Sequence, residues 1–226
     1  MAPPSIKLSY FDLEAAGEPV RLALLLSKTP FEDHRVAFPD WPAMKPTTPS
    51  GQLPVMTING SEKRTQSKAM LRWVGSTLST TLYPSDRLFD IEEAVGIVED
   101  MDRAFYTPRM VGMRPTAMGH AEGFSKTEEG QKVVKQLREA FVQNELPKYL
   151  ERFTKMIEAN KGPFLVEGEH PTIVDCIAVP LLRSFSRGFI DHVDPNCLDA
   201  YPVVVQYIKT FCALDGVKGR YDTGIH

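Results

Sequence analysis

Cysteine is scarce in this chain, with three residues among 226. Cys176, Cys197 and Cys212 all lie in the last third, far apart, and form neither a CxxC pair nor a spacing typical of metal ligands. An odd, sparse set of cysteines is typical of reduced, structural thiols. We therefore expect no metal site, three buried thiols and a cytoplasmic protein.

A strong excess of one charge and long apolar runs are also missing. The 26 basic and 29 acidic residues give a net charge of −3, which gives no reason to expect nucleic acid or an anionic membrane as a partner. No apolar run approaches the roughly 20 residues needed to cross a bilayer, and we expect no signal peptide ahead of Ile6. The length suits one large or two small domains.

The first 80 residues alternate strand and helix patterns. Because a helix separates the first two predicted strands, we expect these strands to run parallel. Asn59-Gly60 is a strong hairpin signal between the third and fourth strands. The connection over 38–48 is rich in proline and is predicted to be irregular. The predicted elements are strands over 6–11, 31–36, 55–58 and 62–65, and helices that begin at Glu18 and at Gln66-Ser67.

The stretch 51–73 carries two features that can bind a ligand. Pro54 has no N–H, so the backbone of Leu53 can remain open to a ligand, especially if the bond between them is cis. Ser67 lies at a predicted helix start, where unpaired N–H groups attract a carboxylate or phosphate. Together these features predict half of a binding site for a small peptide-like molecule.

The residues after the break at Thr80 to Asp86 have helical periodicity throughout. We predict a helix from Leu88 to about Tyr106, ended or kinked by Pro108, and a loose segment over 112–130. A long helix over 127–160 is expected to kink at Pro147. Thr172 and Asp175 form a capping pattern that opens a buried helix to about residue 189, and a last helix spans 201–214. The predicted domains are residues 1–80 and 87–226.

Several short motifs, none highly specific alone, follow one another along essentially the whole chain. They are Tyr10-Phe11, Glu18-Pro19-Val20-Arg21, Trp41, Lys45, Gly51-Gln52-Leu53-Pro54, Gln66-Ser67 and the run 171–175. In this order and spacing they resemble the cytosolic glutathione transferases of the tyrosine type. The run 41–46, and Ser50 where other classes place an aromatic subunit-interface residue, make the sequence most similar to the sigma class.

The resemblance implies an α/β plus all-α fold, with a thioredoxin-like N-terminal domain followed by a C-terminal helical bundle domain. It also implies a homodimer that uses glutathione as co-substrate and conjugates it to hydrophobic electrophiles, a detoxification activity. The glutathione thiolate is the nucleophile, and a free thiol with a pKa near 8.5 is only about 3% ionised at pH 7. By the resemblance, Tyr10 is the catalytic residue, whose hydroxyl donates a hydrogen bond to the sulfur.

The same resemblance assigns the rest of the glutathione site. Leu53 offers its backbone to the cysteinyl residue like an added strand. Asp100 of the partner subunit is expected to reach the glutamyl amine. The implied glutathione-binding residues are Tyr10, Trp41, Lys45, Gln52, Leu53, Pro54, Gln66, Ser67 and Asp100. The implied electrophile pocket contains Phe11, Phe105, Tyr106, Arg109 and Met110.

Two positions depart from the family pattern. Ala16 stands where many relatives have an arginine that supports the thiolate, and Lys68 changes the charge beside the glutamyl end. Two alternatives to conjugation stay open: a glutathione-dependent isomerase such as a prostaglandin D synthase, and a non-catalytic crystallin-like or ligand-binding relative. The intact set of site residues disfavours the second alternative. Thiol-disulfide exchange is disfavoured because the first 80 residues contain no cysteine.

Overall fold

A computed structural model describes residues 4–221. Its sheet has the strand order β2-β1-β3-β4, with β1 parallel to β2 and antiparallel to β3. The parallel pairing predicted from the helix between the first two strands is therefore confirmed. The strands are β1 Ile6–Phe11, β2 Glu32–Val36, β3 Val55–Ile58 and β4 Glu62–Arg64.

Three α-helices accompany the sheet: α1 Glu18–Leu26, α2 Trp41–Met44 and α3 Ser67–Trp73. The prediction of an irregular connection over 38–48 was wrong. This stretch forms a 3-10 turn over Phe38–Asp40, then α2, then a second 3-10 turn over Lys45–Thr47. Each of the three turns has a proline in its first positions, where the missing N–H has no helical partner to lose.

The remaining helices are α4 Leu88–Met113, α5 Glu128–Ala140, α6 Leu146–Ala159, α7 Ile173–Ser186 and α8 Pro202–Cys212. The prediction that α4 ends near Tyr106 was wrong, because the helix continues through Pro108. The proline is buried, and its carbonyl oxygen accepts a hydrogen bond from Nε of Arg138 in α5 at 3.3 Å. Pro108 therefore lies inside α4 and contacts α5.

Two further segments differ in detail from the prediction. The helix expected over 127–160 is two helices, α5 and α6, separated by a π turn over Phe141–Glu145 just ahead of Pro147. The segment expected to be loose contains 3-10 turns over Pro115–Met118 and Phe124–Lys126. No helix in the described range 4–221 is both long enough and apolar enough to span a bilayer.

Helix α7 connects the two parts of the chain. It packs against both α1 and α4. Many of its side chains, among them Val174 and Leu182, are fully buried in the same apolar cluster as Leu22 and Leu24 of α1. This shared core fixes the beginning of α1 relative to the helical part.

Asp175 confirms the predicted cap at the start of α7 and does more than cap. Its carboxylate accepts the Thr172 N–H at 2.7 Å, the Leu165 N–H at 3.2 Å and the Tyr207 hydroxyl at 2.8 Å. Burial raises the pKa of Asp175, and these hydrogen bonds act in the opposite direction. One buried carboxylate thus ties α7 to the preceding loop and to α8.

Replacing Asp175 with alanine is expected to lower the free energy of unfolding by about 3 kcal/mol or more, because several buried donors lose their acceptor. Urea unfolding midpoints of the variant and the wild type measure this loss. Glu169→Ala removes an exposed acid a few residues away and is the matched control, expected within about 0.5 kcal/mol of wild type. Equal midpoints for Asp175→Ala and the control would contradict the assignment.

Candidate functional site

Tyr10 lies near the end of β1 and is 7% exposed. Its hydroxyl oxygen accepts a hydrogen bond from the backbone N–H of Ala16 at 3.2 Å. Because that bond uses a lone pair of the oxygen, the hydroxyl proton of Tyr10 is left to donate to another group. A Cβ built on Gly17 would lie 2.4 Å from the Tyr10 ring, so the turn that carries Ala16 fits closely against the phenol.

The surroundings keep Tyr10 in its neutral form. Burial raises its pKa, whereas the Ala16 N–H and the charges of Arg21 and Arg114 lower it, with a net shift upward. A neutral phenol at neutral pH is a hydrogen-bond donor. Arg114 is exposed at the C-terminal end of α4 and was missed by the sequence analysis, because α4 was predicted to end before it.

Arg21 fixes the chain around Tyr10. Its side chain is fully buried and donates to the carbonyl oxygens of Phe11 at 3.1 Å and Leu13 at 2.8 Å. It also donates to Asp33 of β2 at 2.9 Å, and its guanidinium carbon lies 5.5 Å from the centre of the Tyr10 ring. The sequence analysis identified the motif that contains Arg21, but it did not predict that Arg21 holds the chain around Tyr10.

A second group of predicted residues lies around the turn before β3 and the start of α3. The Leu53–Pro54 bond is cis, and within residues 4–221 the backbone of Leu53 makes no hydrogen bond to another backbone group. Gln66 precedes α3 with a φ of 71°, a left-handed conformation that is unfavourable for a residue with a side chain. Ser67 is the first residue of α3, where helical N–H groups have no intrahelical acceptor.

The residues predicted for the glycyl end lie on α2 and the turn after it. Trp41 begins α2, and its ring packs edge-on against Phe11 with centroids 5.7 Å apart. Lys45 is exposed and passes close to Gly51, since a Cβ there would lie 3.6 Å from its Cε. Gln52 is exposed next to this glycine. The structure therefore brings Lys45 to the turn that carries Gln52.

Asp100 lies on an exposed stretch of α4. Its carboxylate pairs with Arg103 at 2.7 Å, and its side chain is 56% exposed. The preceding residue, Glu99, pairs with Lys68 of α3 at 2.6 Å. Lys68 therefore has an acidic partner within the chain.

The five residues predicted for an electrophile pocket differ in their exposure and in their contacts. Tyr106 is 46% exposed, and Met110 lies partly exposed one turn further along α4. Arg109 pairs with Asp102 at 2.6 Å. Phe105 is 2% exposed and packs in the core against other aromatic rings, so we leave it out of the proposed pocket.

Phe11, the fifth of these residues, is the last residue of β1. Its ring stacks on the exposed Phe38 with centroids 4.7 Å apart. The ring also meets Tyr10 edge-on, with centroids 5.7 Å apart. Phe11 therefore links the phenol of Tyr10 to an aromatic surface open to solvent.

The three cysteines are poor nucleophiles. Cys176 and Cys212 are buried as predicted, whereas Cys197 is only partly buried. Burial raises the pKa of Cys176 well above its usual value and raises those of Cys197 and Cys212 to about 11. All three thiols are protonated at neutral pH, so none of them is a candidate nucleophile.

Gly17→Ala is expected to destabilise the protein by about 1–3 kcal/mol, because the new methyl group overlaps the Tyr10 ring. Gly96→Ala is the matched control: that glycine lies inside α4 with open space around it, and alanine there favours the helix. Urea midpoints that fall for Gly17→Ala and hold or rise for Gly96→Ala support the geometry. Equal changes in both variants would contradict it.

Comparisons with known proteins give a consistent result. Residues 120–219 match the family model described as "Glutathione S-transferase, C-terminal domain". Glutathione S-transferase 1 of Ascaris suum is 31% identical over 216 residues, covering 95% of this chain and 94% of the relative. The class-mu 28 kDa isozyme of Schistosoma japonicum is 27% identical over 226 residues, covering 96% of each chain.

A solved structure shows the same fold. The prostaglandin synthase D of Nilaparvata lugens superposes with a TM-score of 0.76 at 23% identity, covering 96% of this chain and 97% of that chain. This likeness confirms the predicted thioredoxin-like N-terminal domain and helical C-terminal domain. Given the identity and coverage of the Ascaris relative, this chain belongs to the glutathione S-transferase family.

Proposed function

We propose that the protein is an enzyme that conjugates glutathione to hydrophobic electrophiles, with Tyr10 as the catalytic residue. The observation that carries this proposal is the hydrogen bond from Ala16 N–H to the Tyr10 hydroxyl oxygen at 3.2 Å. It fixes the phenol and leaves its proton to bind a thiolate. The family membership supplies glutathione as the co-substrate.

The chemistry requires a thiolate at neutral pH. Lowering the pKa of the glutathione thiol by about two units stabilises the thiolate by about 2.7 kcal/mol and makes it the main species. A hydrogen bond from Tyr10 to the sulfur contributes to this shift, and the charge of Arg114, which acts on the Tyr10 hydroxyl, is placed to favour an anion beside it. The sulfur lone pair then attacks the electrophilic carbon, and the leaving group departs with the bonding electrons.

The methyl side chain of Ala16 is uncharged, whereas the family resemblance leads us to expect an arginine at this position. In this chain its backbone N–H contacts Tyr10 directly, and Arg114 supplies a positive charge from the end of α4. We therefore propose that the lost arginine is replaced by these two groups. Position 16 thus need not weaken the thiolate.

The remaining proposed contacts follow the shape of glutathione. The open backbone of Leu53 suits the cysteinyl residue, and the start of α3 at Ser67 suits the glutamyl carboxylate. Lys45, close to the turn at Gly51 and Gln52, suits the glycyl carboxylate. Tyr106 and Met110 on α4 offer an apolar surface to the electrophile.

We also propose that the enzyme is of the tyrosine type and most similar to the sigma class. Tyr10 at the end of β1 and the exposed Ser50 support this assignment. Isomerisation of an endoperoxide is the alternative reaction at the same site, since it also begins from a glutathione thiolate. Steady-state turnover with a panel of electrophiles and a prostaglandin endoperoxide distinguishes conjugation from isomerisation.

Tyr10→Phe is expected to keep glutathione affinity within a few-fold and to lower turnover at pH 6.5–7 by roughly one to two decades. One charge-assisted hydrogen bond contributes about 1.5–3 kcal/mol. Calorimetric titration with glutathione and steady-state rates measure the two effects. Tyr201→Phe, a change at the start of α8 far along the chain from Tyr10, is the control and is expected to match wild type. Equal turnover in both variants would place the thiolate donor elsewhere.

A homodimer is the proposed assembly, with Asp100 reaching the glutathione site of the partner subunit. The exposure of Asp100 supports this role. With Ser50 in place of an aromatic residue, we expect the contact to depend on charged groups and to weaken as salt rises. Sedimentation at micromolar protein and low salt is expected to show a dimer, and a monomer under these conditions would overturn the proposal.

A further inference from the structure

The segment between β1 and α1 is anchored by residues from the other end of the chain. Glu18, the first residue of α1, is fully buried. Its carboxylate accepts hydrogen bonds from the guanidinium group of Arg220 through two nitrogens and from the hydroxyl of Tyr221. Arg21 approaches the same carboxylate at 3.4 Å. A paired, bidentate contact of this kind fixes geometry as well as charge.

A second anchor lies four residues earlier. Glu14 is held by Arg183, whose guanidinium nitrogen lies 3.3 Å from both carboxylate oxygens, and by Arg187. The guanidinium of Arg183 also lies over the ring of Tyr221, 3.8 Å from its centre. The contact between Arg183 and Tyr221 joins the two anchors into one charged network.

The residues between the anchors carry the group that binds Tyr10. Ala15 has a φ of 33°, and the Glu18 N–H closes the turn onto the Glu14 carbonyl oxygen at 3.1 Å. The Ala16 N–H lies in the middle of this turn and points at the Tyr10 hydroxyl. Because a hydrogen bond weakens steeply with distance and angle, a shift of either anchor weakens this contact.

We propose that Arg220 and Tyr221 are positioning residues for the reaction: by holding Glu18, they keep the Ala16 N–H on the hydroxyl of Tyr10. They act through Glu18 and the turn, and no direct contact with glutathione is assigned to them. Only the expected effect on turnover rests on the proposed function. The placement of the turn is a property of the free protein.

A looser turn changes the donor strength of Tyr10. The N–H bonded to the phenol oxygen stabilises negative charge there, and such a bond also strengthens donation through the hydroxyl proton. Losing it makes Tyr10 a weaker donor to the thiolate and moves the pKa of the phenol upward. The proposed glutathione contacts at Lys45, Leu53 and Ser67 lie on other segments, so glutathione affinity is expected to change little.

Tyr221→Phe tests the proposal without altering charge, because it removes one hydrogen bond to Glu18 and keeps the ring under Arg183. Arg220→Ala removes the bidentate contact, and Arg220→Lys retains the charge and is expected to restore part of the function. Lys218→Ala is the matched control, since it removes a positive charge from an exposed position of the same segment. Urea unfolding identifies the variants that are folded, and Tyr221→Phe provides the test if Arg220→Ala does not fold.

The first readout is the titration of Tyr10 in the glutathione-free protein, taken as the ultraviolet difference between each variant and the same variant carrying Tyr10→Phe. The charged groups that act on Tyr10, Arg21 and Arg114, are the same in every variant. We expect the pKa of Tyr10 to rise in Tyr221→Phe and Arg220→Ala and to be unchanged in Lys218→Ala.

The second readout is the pH profile of glutathione turnover. In Tyr221→Phe we expect kcat at pH 6.5 to fall roughly 3- to 10-fold, which corresponds to loss of the neutral hydrogen bond between Ala16 and Tyr10. The KM for glutathione is expected to stay within about twofold of wild type. The pH profile of kcat/KM is expected to shift to higher pH. A Tyr10 pKa and a pH profile that match wild type in folded Tyr221→Phe would overturn the proposal, as would equal effects in Lys218→Ala. If the wild type does not turn glutathione over, the proposed function fails, and the Tyr10 titration still decides the positioning role.

Discussion

The buried ion pair of Glu18 and Arg21 at the start of α1 is the constraint around which the site is arranged. Both side chains are fully buried, and a charge removed from water is tolerated only when other groups satisfy it. Arg21 is satisfied by Asp33 of β2 and by carbonyl oxygens at the end of β1. The carboxylate of Glu18 accepts hydrogen bonds from Arg220 and Tyr221. These partners come from three segments of the chain, so satisfying one ion pair brings those segments together at α1.

The position of Tyr10 follows from this arrangement. The strand end that carries the phenol and the turn that carries the Ala16 N–H are both tied to Arg21 or Glu18. The shared core of α1 and α7 also holds α1 in place. Within residues 4–221, no buried side-chain nitrogen or oxygen lacks a hydrogen-bond partner. A hydroxyl held in such surroundings keeps its orientation, which is what a donor to a thiolate requires.

Local patterns in the sequence predicted the elements that depend on neighbouring residues. Strands β1 and β3 were predicted to the residue, since side-chain alternation and the Asn59-Gly60 turn define them. The end of α4 was predicted wrongly because proline usually ends a helix, whereas the buried Pro108 lies inside this one and contacts Arg138, 30 residues away. The anchors on Glu14 and Glu18 join residues 169 and 202 positions apart, and no periodicity or motif marks such contacts. Tyr10 was found through family resemblance, whereas the network that holds it needed the structure.

The most direct test of the account is the pKa of the glutathione thiol when it is bound to the protein. Ultraviolet absorbance of the thiolate, followed against pH at saturating glutathione, measures this quantity without any electrophile. The account predicts a bound thiol that titrates about two units below the free value of roughly 8.5, and a value near 8.5 again in Tyr10→Phe. A bound thiol that titrates at the free value in the wild type would contradict it.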